Sequence, residues 1–495
     1  MKRFWKRKPQ NTDLPIETKA SIQYLLIGIC GLIVVIIYIW FISAGHWIDW
    51  PKTTNYYDQL AKGFDHGQLS LPAKVDPGLL ALQHPYDYNS RKNIPYLWDT
   101  SLYKGRFFLY WGPAPALILA LIKPLYNAKI GDQYIAFAFI IGSLFFNILI
   151  LTSIKRDFFR TLPSWTVLIG VLVAGLVGPI PWMLRQSEIY EAAITGGQFF
   201  LIGGIYWVYV ALTKSPISKW HLFLAGLFWT LAFGSRVVLA LPIAFLLCLT
   251  GIGIARVYFF KKTEFTHIIL AIGAIGIPVI LGIIAYGWYN WARFGSVSEF
   301  GFRYQLNKDN LFSNYNLIFS TFYIHIDFHN YILAPFQVGG AFPFFKAPFG
   351  ADSLIADVPG SAIYHAKNIT GLLYSFPFAL FAMVPIVTML LPFTGIKLSL
   401  YTQNKHSISI TSLSIGLAGA AVLGFIPLLL YFRVAMRFLF DFVPALTLLA
   451  LLGFWLAYHF STDKPVARII VSTLALGLAI LSIYVSISLA VLYNF

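Results

Sequence analysis

Eleven apolar runs, each long enough to cross a membrane as a helix, constrain the fold of this chain more than any other feature. They lie near 22–44, 133–154, 164–184, 189–213, 219–235, 237–258, 266–291, 371–394, 407–431, 438–459 and 467–491. A helix needs about 20 apolar residues to cross the hydrocarbon core, which is about 30 Å thick. Only 11% of the 495 residues are charged, against about 25% in soluble domains. The sequence therefore predicts an all-α, polytopic integral membrane protein with about eleven transmembrane helices.

One further apolar run, 113–126, is too short to cross the membrane. Pro113 and Pro115 stand at its start and Lys123 near its end, and at this length an interfacial or re-entrant helix is expected. If this run does not span and the N-terminus is cytoplasmic, the short inner loops include KRDFFR, TKSPISK and STDKPVAR. These loops are basic, as the positive-inside rule requires. A span at 113–126 would move KRDFFR to the outer side, so the eleven-span topology is favoured.

This topology divides the chain into a short N-terminus, blocks of transmembrane helices and two large outer loops. The segments are 1–21, a basic cytoplasmic N-terminus; 22–44, the first transmembrane helix; 45–132, the first outer loop with interfacial helices; 133–291, transmembrane helices 2–7; 292–370, the second large outer loop; and 371–495, transmembrane helices 8–11. Fifteen of the twenty acidic residues then fall on the outer side. Charged groups crowd the outer helix ends rather than the middle of the bilayer, which favours a chemical site at the outer surface over a transport path.

Several classes of site are disfavoured by the sequence. The net charge of +16 does not indicate nucleic-acid binding, because the basic residues punctuate the spans and form no long basic domain. Cys30 and Cys248 both lie in apolar runs, which predicts neither a disulfide nor a cysteine metal site. The sequence contains no Walker, G-x-G-x-x-G, G-x-S-x-G or H-E-x-x-H motif. Since no inner loop is long enough for a nucleotide-using domain, an activated lipid is the natural donor for chemistry at the outer face.

Three carboxylates of the first outer loop are candidate catalytic groups. Asp58 falls in the first turn of a predicted amphipathic helix in TTNYYDQLAKGF, where it could act as a base or only complement the helix dipole. Asp87 lies in HPYD, where a turn-stabilising role is as strongly expected as a functional one. Asp99 opens DTSLYKGR, and its alternative role is a salt bridge to Lys104 or Arg106.

A second group of charged residues lies at outer helix ends or among aromatic residues and could bind a substrate. RQSEIYE places Arg185, Glu188 and Glu191 at helical spacing, so they form either one polar stripe or an Arg–Glu pair that caps a span. Guanidinium groups bind phosphate oxygens in a fork, which makes rim arginines candidate phosphate ligands. The further candidates are Arg236 in FGSRVV, Arg433 and Arg437 in RVAMRFLFD, Arg293 in YNWARFGS, and Lys104. The alternatives are snorkelling or, for Arg437, an ion pair with Asp441.

One pattern suggests a metal site. In HIDFHN the residues His325, Asp327 and His329 alternate, so an extended segment would place them on one face. Imidazole and carboxylate groups are metal ligands in type, but three ligands on one short strand rarely suffice, and a polar loop is the alternative. The sequence thus leaves a divalent metal as an open alternative and predicts no other cofactor.

The layout and two motifs resemble the GT-C glycosyltransferases, which include protein O-mannosyltransferases and the aminoarabinose transferase of lipid A. YYDQLAKGFDHGQLSLP resembles the early acidic motif of their first outer loop, and YWGPAPALILALIKPL resembles the later His-Pro-Pro-Leu-like segment. The paired Asp-Glu of the mannosyltransferases is absent, and a tryptophan replaces the histidine. The resemblance implies a sugar donor carried on a polyprenyl phosphate and a base in the first outer loop. Asp58 is the first choice for that base, with Asp99 and Asp87 as rivals.

Together with these residues, the resemblance implies a glycosyltransferase of the bacterial inner membrane whose active site lies on the outer face. The sugar would pass to a hydroxyl or amine of a lipid, glycan or protein acceptor, with inversion, while arginines hold the leaving phosphate. The competing hypothesis is a transporter or flippase of a phosphate-bearing lipid or glycolipid, which would use the same arginines. A flippase predicts polar residues at mid-span, and the sequence has few.

Overall fold

Helices make up most of the structure, a computed structural model that describes residues 16–126, 128–260, 264–348, 350, 363–390 and 409–491. Within these residues eight helices are long and apolar enough to cross a membrane, which confirms the all-α polytopic fold. They are Ser21–Ile42, Asp132–Phe158, Ile189–Thr213, Val237–Phe259, Phe265–Phe294, Ile410–Leu430, Val443–Phe460 and Pro465–Val491. The start of the predicted cytoplasmic N-terminus, 1–15, and the predicted inner loop within 391–408 lie outside the described residues.

The helices and strands of the described residues follow one another along the chain with few long connections. The α-helices are α1 (Ile16–Ile42), α2 (Tyr56–Asp65), α3 (Pro77–Ala81), α4 (Ala114–Ile122), α5 (Asp132–Phe158), α6 (Ser164–Leu176), α7 (Ile180–Arg185), α8 (Ile189–Thr213), α9 (Lys219–Ser235), α10 (Ala240–Phe260), α11 (Phe265–Phe294), α12 (Ile324–Phe328), α13 (Leu372–Ser375), α14 (Met383–Leu390), α15 (Ile410–Phe425), α16 (Val443–Phe460) and α17 (Pro465–Val491). The strands are β1 (Ser101–Tyr103), β2 (Arg106–Phe108), β3 (Gln337–Val338), β4 (Phe345–Lys346), β5 (His365–Ala366) and β6 (Arg433–Val434). β1 pairs with β2 and β3 with β4 in antiparallel hairpins, whereas β5 pairs with β6 in parallel.

Eight of the eleven apolar runs coincide with the membrane-length helices, and three do not form single long helices. The run 164–184 divides into α6 and α7 at Gly178 and Pro179, where Gly178 adopts a φ of +74°. Proline lacks an amide donor and its ring crowds the preceding turn, which explains the break. The run 371–394 begins with α13 and a 3-10 turn before α14, and α9 has only 17 residues.

The helix α4 lies at one end of the transmembrane helices and does not cross the bundle. Its nine residues extend about 14 Å. At its start Gly112 lies against the end of α9, where an added Cβ would clash with the Gly234 carbonyl oxygen. At its end Lys123 forms an ion pair with Asp58 of α2, and the Asp132 carboxylate at the start of α5 accepts hydrogen bonds from the first amides of α2. Both ends of α4 therefore lie at the same end of the transmembrane helices.

The long helices have one end that carries the two large loops and an opposite end that is basic. Lys155 lies in the last turn of α5, Lys214 follows α8 and Lys464 precedes α17, all at the end opposite to the loops. Because the positive-inside rule places basic ends in the cytoplasm, the loop-bearing end is called the outer end below.

Backbone pairing at the outer end brings together segments that are far apart in sequence. The Asp99 amide donates to the Leu306 carbonyl at 3.1 Å, and the Leu306 amide donates to the Thr100 carbonyl at 2.9 Å. In the β5–β6 pair His365 lies opposite Arg433. The two large loops and the segment before α16 therefore converge on one region.

Candidate functional site

Three adjoining cavities lie at the outer end, between the two large loops, and Tyr190 and Arg437 line all three. The first has a volume of about 460 Å³ and is called the Asp99 cavity; its further lining includes Asp99, Asp309, His365, Lys367 and Arg433. The second, of about 470 Å³, is called the Glu188 cavity; its further lining includes Trp98, Arg185, Glu188, Glu191 and Lys367. The third, of about 80 Å³, is called the apolar cavity; its further lining includes Tyr110, Ile194, Arg236, Val238, Pro427 and Leu428.

Asp99 is a buried carboxylate in the wall of the first cavity. Its Oδ2 accepts hydrogen bonds from the hydroxyl groups of Tyr190 and, at 3.4 Å, of Tyr110. Its Oδ1 is buried without a hydrogen-bond partner. Asp99 forms no ion pair with Lys104 or Arg106 within the described residues, so the predicted alternative of a salt bridge to either residue is wrong.

The surroundings of Asp99 make its carboxylate a stronger base. Burial raises the pKa of Asp99, and the Tyr190 hydrogen bond and the positive charges of Arg433 and Arg437 partly offset that rise. A carboxylate whose pKa is raised towards the working pH accepts a proton more readily than a solvated one. One free oxygen and a raised pKa are the two properties expected of a general base.

Two arginines of RVAMRFLFD share the cavity with Asp99. Arg433 forms an ion pair with Asp309. The Nη1 of Arg437 lies 3.6 Å from Oε1 of Glu191, and its guanidinium lies 4.2 Å from the centre of the Tyr190 ring. The Nε of each arginine is buried without a hydrogen-bond partner. Because a guanidinium has five N–H donors, both arginines keep donors for a further anion.

Lys367 is a third cation, and it lines both the Asp99 cavity and the Glu188 cavity. Its amide donates to the Val434 carbonyl at 3.0 Å, which fixes its place beside β6. Desolvation of the amine, followed by repulsion from Arg437 and Arg433, lowers the pKa of Lys367, although the residue is exposed at the cavity. Among the described residues no carboxylate oxygen lies within 4 Å of its amine. An anion bound here would relieve the repulsion between the three cations.

Arg236 contacts the apolar cavity but is engaged with another carboxylate. Its Nε and Nη2 donate to the two carboxylate oxygens of Asp441 at 3.1 Å and 2.7 Å. The alternative of an ion pair between Arg437 and Asp441 is therefore wrong, because Asp441 binds Arg236 and Arg437 lies beside Glu191. This bidentate pair connects the turn after α9 to the segment before α16.

The RQSEIYE segment forms the end of α7 and the start of α8. Glu188 is the N-cap residue of α8, and its amide donates to Oε2 of Glu191 at 3.0 Å in a capping box. Arg185, Glu188 and Glu191 all line the Glu188 cavity. The structure thus brings together the three residues that the sequence pattern grouped.

Asp58 and Asp87 lie outside the three cavities. Asp58 is fully buried between α2 and α4, where it forms ion pairs with Lys123 and, at 3.4 Å, with Lys62. Asp87 accepts hydrogen bonds from the amide of Asn89 and the hydroxyl of Ser90 at 3.2 Å and 3.0 Å, which are contacts within one turn. Both carboxylates have structural partners that account for their positions.

Lys104 and Arg293 also lie outside the three cavities. Lys104 is exposed in the turn between β1 and β2, with its amine 5.3 Å from the centre of the Tyr103 ring. Arg293 is buried at the end of α11 and donates to the Leu109 carbonyl and to Oδ1 of Asn290 at 2.5 Å and 2.7 Å. Arg293 therefore holds the segment between β2 and α4 against the end of α11.

The cavity residues that were not predicted from the sequence include Tyr190, Asp309, His365 and Lys367. Tyr190 lies between Glu188 and Glu191 in the sequence. Its proximity to these two candidate residues was a local signal that could have identified it as part of the site. Asp309 and His365 are linked at 3.0 Å, but they are 56 residues apart along the chain. Only the pairing of β5 with β6 brings this part of the second loop to the arginines.

The structure does not place His325, Asp327 and His329 on one face as the metal alternative requires, because the HIDFHN segment is helical rather than extended. α12 ends at Phe328 and a π-turn, His329–Leu333, follows. His325 is exposed, whereas Asp327 is buried and accepts a hydrogen bond from the Tyr364 hydroxyl at 2.7 Å. Across the described residues no group of three or more histidine, cysteine, aspartate or glutamate side chains could hold a metal ion.

Comparisons with known proteins find a likeness in structure and none in sequence. No protein-family model matches the chain, and no curated protein matches its sequence. Two solved structures of the oligosaccharyltransferase of the archaeon Archaeoglobus fulgidus are similar to it: the apo form, and the AglB complex with an inhibitory peptide and a dolichol-phosphate. Each aligns with 96% of this chain at 12% identity and a TM-score of 0.46, and the chain spans only 56% of the length of each. At this identity and TM-score the likeness carries no argument about substrate or site residues.

Proposed function

We propose that the chain is a membrane glycosyltransferase that moves a sugar from a polyprenyl phosphate to a nucleophilic acceptor group, with Asp99 as the general base. The observation that carries the proposal is the composition of the Asp99 cavity. One buried carboxylate with a free oxygen lines the same space as Arg433, Arg437 and Lys367. Acid–base chemistry and phosphate binding both need these groups, and the transfer of a phosphate-linked sugar needs them together.

The proposed reaction is a single displacement at the anomeric carbon. The acceptor O–H gives its proton to Asp99 as its oxygen forms a bond to that carbon, and the bond from the carbon to the phosphate oxygen breaks with its electron pair. The polyprenyl phosphate leaves with one more negative charge. Arg437 and Lys367 are placed to stabilise that charge, because both line the Asp99 cavity and both have unmatched donors or charge. A single displacement inverts the configuration of the sugar.

The apolar cavity offers a path for the carrier's hydrocarbon tail. Its lining includes Ile194 of α8, Val238 before α10, and Pro427 and Leu428 after α15. It shares Arg437 with the two polar cavities. A phosphate held at Arg437 would thus have polar space on one side and apolar helix ends on the other, as an amphipathic carrier requires.

The assignment of roles departs from the expectation that Asp58 is the base. Asp58 does not line a cavity and its carboxylate is matched by two lysines, so it is proposed to hold α2 against α4. Arg236 and Arg185 are proposed to support the site, Arg236 through Asp441 and Arg185 as part of the Glu188 cavity. Under the positive-inside rule, the site is proposed to lie at the outer membrane surface, with a cytoplasmic N-terminus.

The test uses purified protein in lipid nanodiscs with a panel of radiolabelled polyprenyl-phosphate monosaccharides, and it measures transfer to membrane-extract acceptors and release of the carrier phosphate. Asp99→Asn should lower turnover by about 100-fold or more, because that is the lower range for loss of a general base. The matched control is Asp87→Asn, which changes an acid of the same loop outside the cavities and should keep turnover.

Binding of undecaprenyl phosphate, measured by native mass spectrometry, separates chemistry from folding. Asp99→Asn should bind it as the wild type does. Full turnover by a folded Asp99→Asn protein would overturn the role of Asp99. The flippase alternative would instead be favoured by two results together. No donor of the panel would release its carrier phosphate, and a fluorescent undecaprenyl phosphate would move across a vesicle membrane.

A further inference from the structure

The hairpin formed by β3 and β4 exposes large apolar side chains at the outer end of the bundle. Val338 is 74% exposed, Phe342 70% and Phe344 42%. The three lie within seven residues of the second outer loop. Single exposed apolar residues are ordinary on protein surfaces, but a contiguous apolar patch marks a contact with another apolar phase.

The hairpin is fixed to the transmembrane helix α17 through one tyrosine. The Tyr484 hydroxyl donates to the Pro343 carbonyl at 3.4 Å. The ring centres of Phe345 and Tyr484 lie 5.6 Å apart in an edge-to-face contact, and the ring centres of Phe336 and Phe345 lie 4.3 Å apart. One face of the hairpin is therefore packed against the bundle, which leaves its exposed residues on the outside.

The position of Tyr484 along α17 gives the depth of the hairpin. α17 has 27 residues, which is about 40 Å of helix, roughly 10 Å more than the hydrocarbon core. Tyr484 lies seven residues before Val491, about 10 Å from the outer helix end. This places the hairpin near the boundary between hydrocarbon and headgroups, where aromatic side chains are enriched.

Exposed apolar side chains are also present on the two helices that lie beside the hairpin. On α17, Ile480 and Leu481 are exposed, and on α13 Leu373 and Tyr374 are exposed. The centre of the Tyr374 ring lies 5.9 Å from that of Phe336, which itself packs against Phe345 of the hairpin. Exposed apolar residues of the hairpin and of the two neighbouring helices thus lie in one region at the outer end of the bundle.

We propose that the hairpin 337–346 inserts Phe342 and Phe344 into the outer leaflet of the membrane. The occupant of its apolar face is the boundary layer of lipid headgroups and upper acyl chains. The same outer loop contributes Asp309 and Lys367 to the cavities, so the inserted hairpin fixes this part of the site at the height of the membrane surface. The proposal is independent of the reaction assigned to the site.

The test measures the accessibility of a spin label in nanodiscs by power saturation of its electron paramagnetic resonance signal. Phe342→Cys and, as a second site, Phe344→Cys are introduced into a background in which Cys30 and Cys248 are replaced by alanine and serine. The matched control is Lys92→Cys, an exposed position of the first outer loop. At positions 342 and 344 the label should be more accessible to oxygen than to a water-soluble nickel complex, and at position 92 the order should be reversed.

Each other outcome would overturn the proposal. Nickel accessibility at 342 and 344 equal to that at 92 would mean that the hairpin stands in water. A label accessible to neither reagent would mean that a protein surface, from a second copy or a partner, covers the hairpin. Because the measurement needs no substrate, its failure is distinguishable from failure of the proposed enzyme activity.

Discussion

The ion pair between Asp58 and Lys123 gives the sharpest test of which first-loop carboxylate is structural. The side chain of Asp58 is fully buried and that of Lys123 is only 4% exposed. Removal of one partner from a buried pair typically costs about 3–5 kcal/mol, because the other charge is left buried without a counter-ion. Asp58→Asn should therefore destabilise the protein strongly while leaving the chemistry of the Asp99 cavity intact.

The size of the effect can be expressed as a melting temperature. With an unfolding entropy of about 2.1 cal/mol/K per residue, a loss of about 3–5 kcal/mol lowers the apparent Tm of a 495-residue chain by about 3–5 °C. The assay is thermal unfolding in detergent, followed by size-exclusion chromatography. The double variant Asp58→Asn/Lys123→Met removes both charges and should recover most of the loss, since replacement of a whole buried pair by neutral groups is often close to neutral.

Transfer activity decides the interpretation. Asp58→Asn/Lys123→Met should retain turnover per folded molecule, whereas Asp99→Asn should not. If Asp58→Asn has the Tm of the wild type but no turnover, the reasoning fails, and the base is Asp58 in a conformation that opens its ion pairs. The double variant would then also be inactive, although stable.

Three further predictions follow from individual contacts. Tyr190→Phe removes a hydrogen bond that lowers the pKa of Asp99, so this pKa rises further and the acid limb of the kcat/KM profile should move to higher pH; an unmoved limb would show that another group titrates. Arg437→Gln should weaken the binding of undecaprenyl phosphate by about 10- to 100-fold, the equivalent of a charged hydrogen bond of about 1.5–3 kcal/mol. Arg437→Lys should restore binding only in part, because an ammonium cannot form the two parallel hydrogen bonds of a guanidinium. Unchanged affinity of Arg437→Gln by native mass spectrometry would contradict the phosphate site. Burial raises the pKa of Asp327 to about 8, above about 3.9 in the unfolded chain, so stability falls as pH rises through this window. Asp327→Asn should flatten that fall in thermal unfolding measured between pH 5 and pH 8. Equal slopes of Tm against pH for the variant and the wild type would refute this prediction.

The transmembrane architecture was predictable because it depends on local composition. Runs such as 133–154 and 189–213 became helices with almost the same limits, α5 and α8. A helix in a membrane satisfies its own backbone hydrogen bonds, so its length and composition suffice to predict it. The breaks at Gly178 and before Pro377 were missed, although glycine and proline at these positions are local signals for an interruption.

The site was less predictable because its chemistry depends on long-range partners. Asp58 and Asp99 looked alike in sequence, and only the positions of Lys123 and Tyr190 distinguish them. Both partners lie more than 60 residues away along the chain. The metal alternative for HIDFHN was wrong for a different reason. It assumed an extended segment, but the same alternation also occurs in a helix when tertiary contacts decide the backbone conformation.

The arrangement of charge in the cavities indicates why transfer rather than simple binding would be favoured here. A polyprenyl-phosphate sugar is a phosphodiester with one negative charge, and the phosphate that leaves carries a second. Arg433 has one carboxylate partner, Arg437 has a long contact of 3.6 Å, and Lys367 has none within 4 Å among the described residues. Cations that are only partly neutralised would attract the doubly charged leaving phosphate more strongly than the singly charged donor. In the proposed reaction they would therefore stabilise the transition state more than the bound donor, which is the condition for catalysis rather than retention of the carrier.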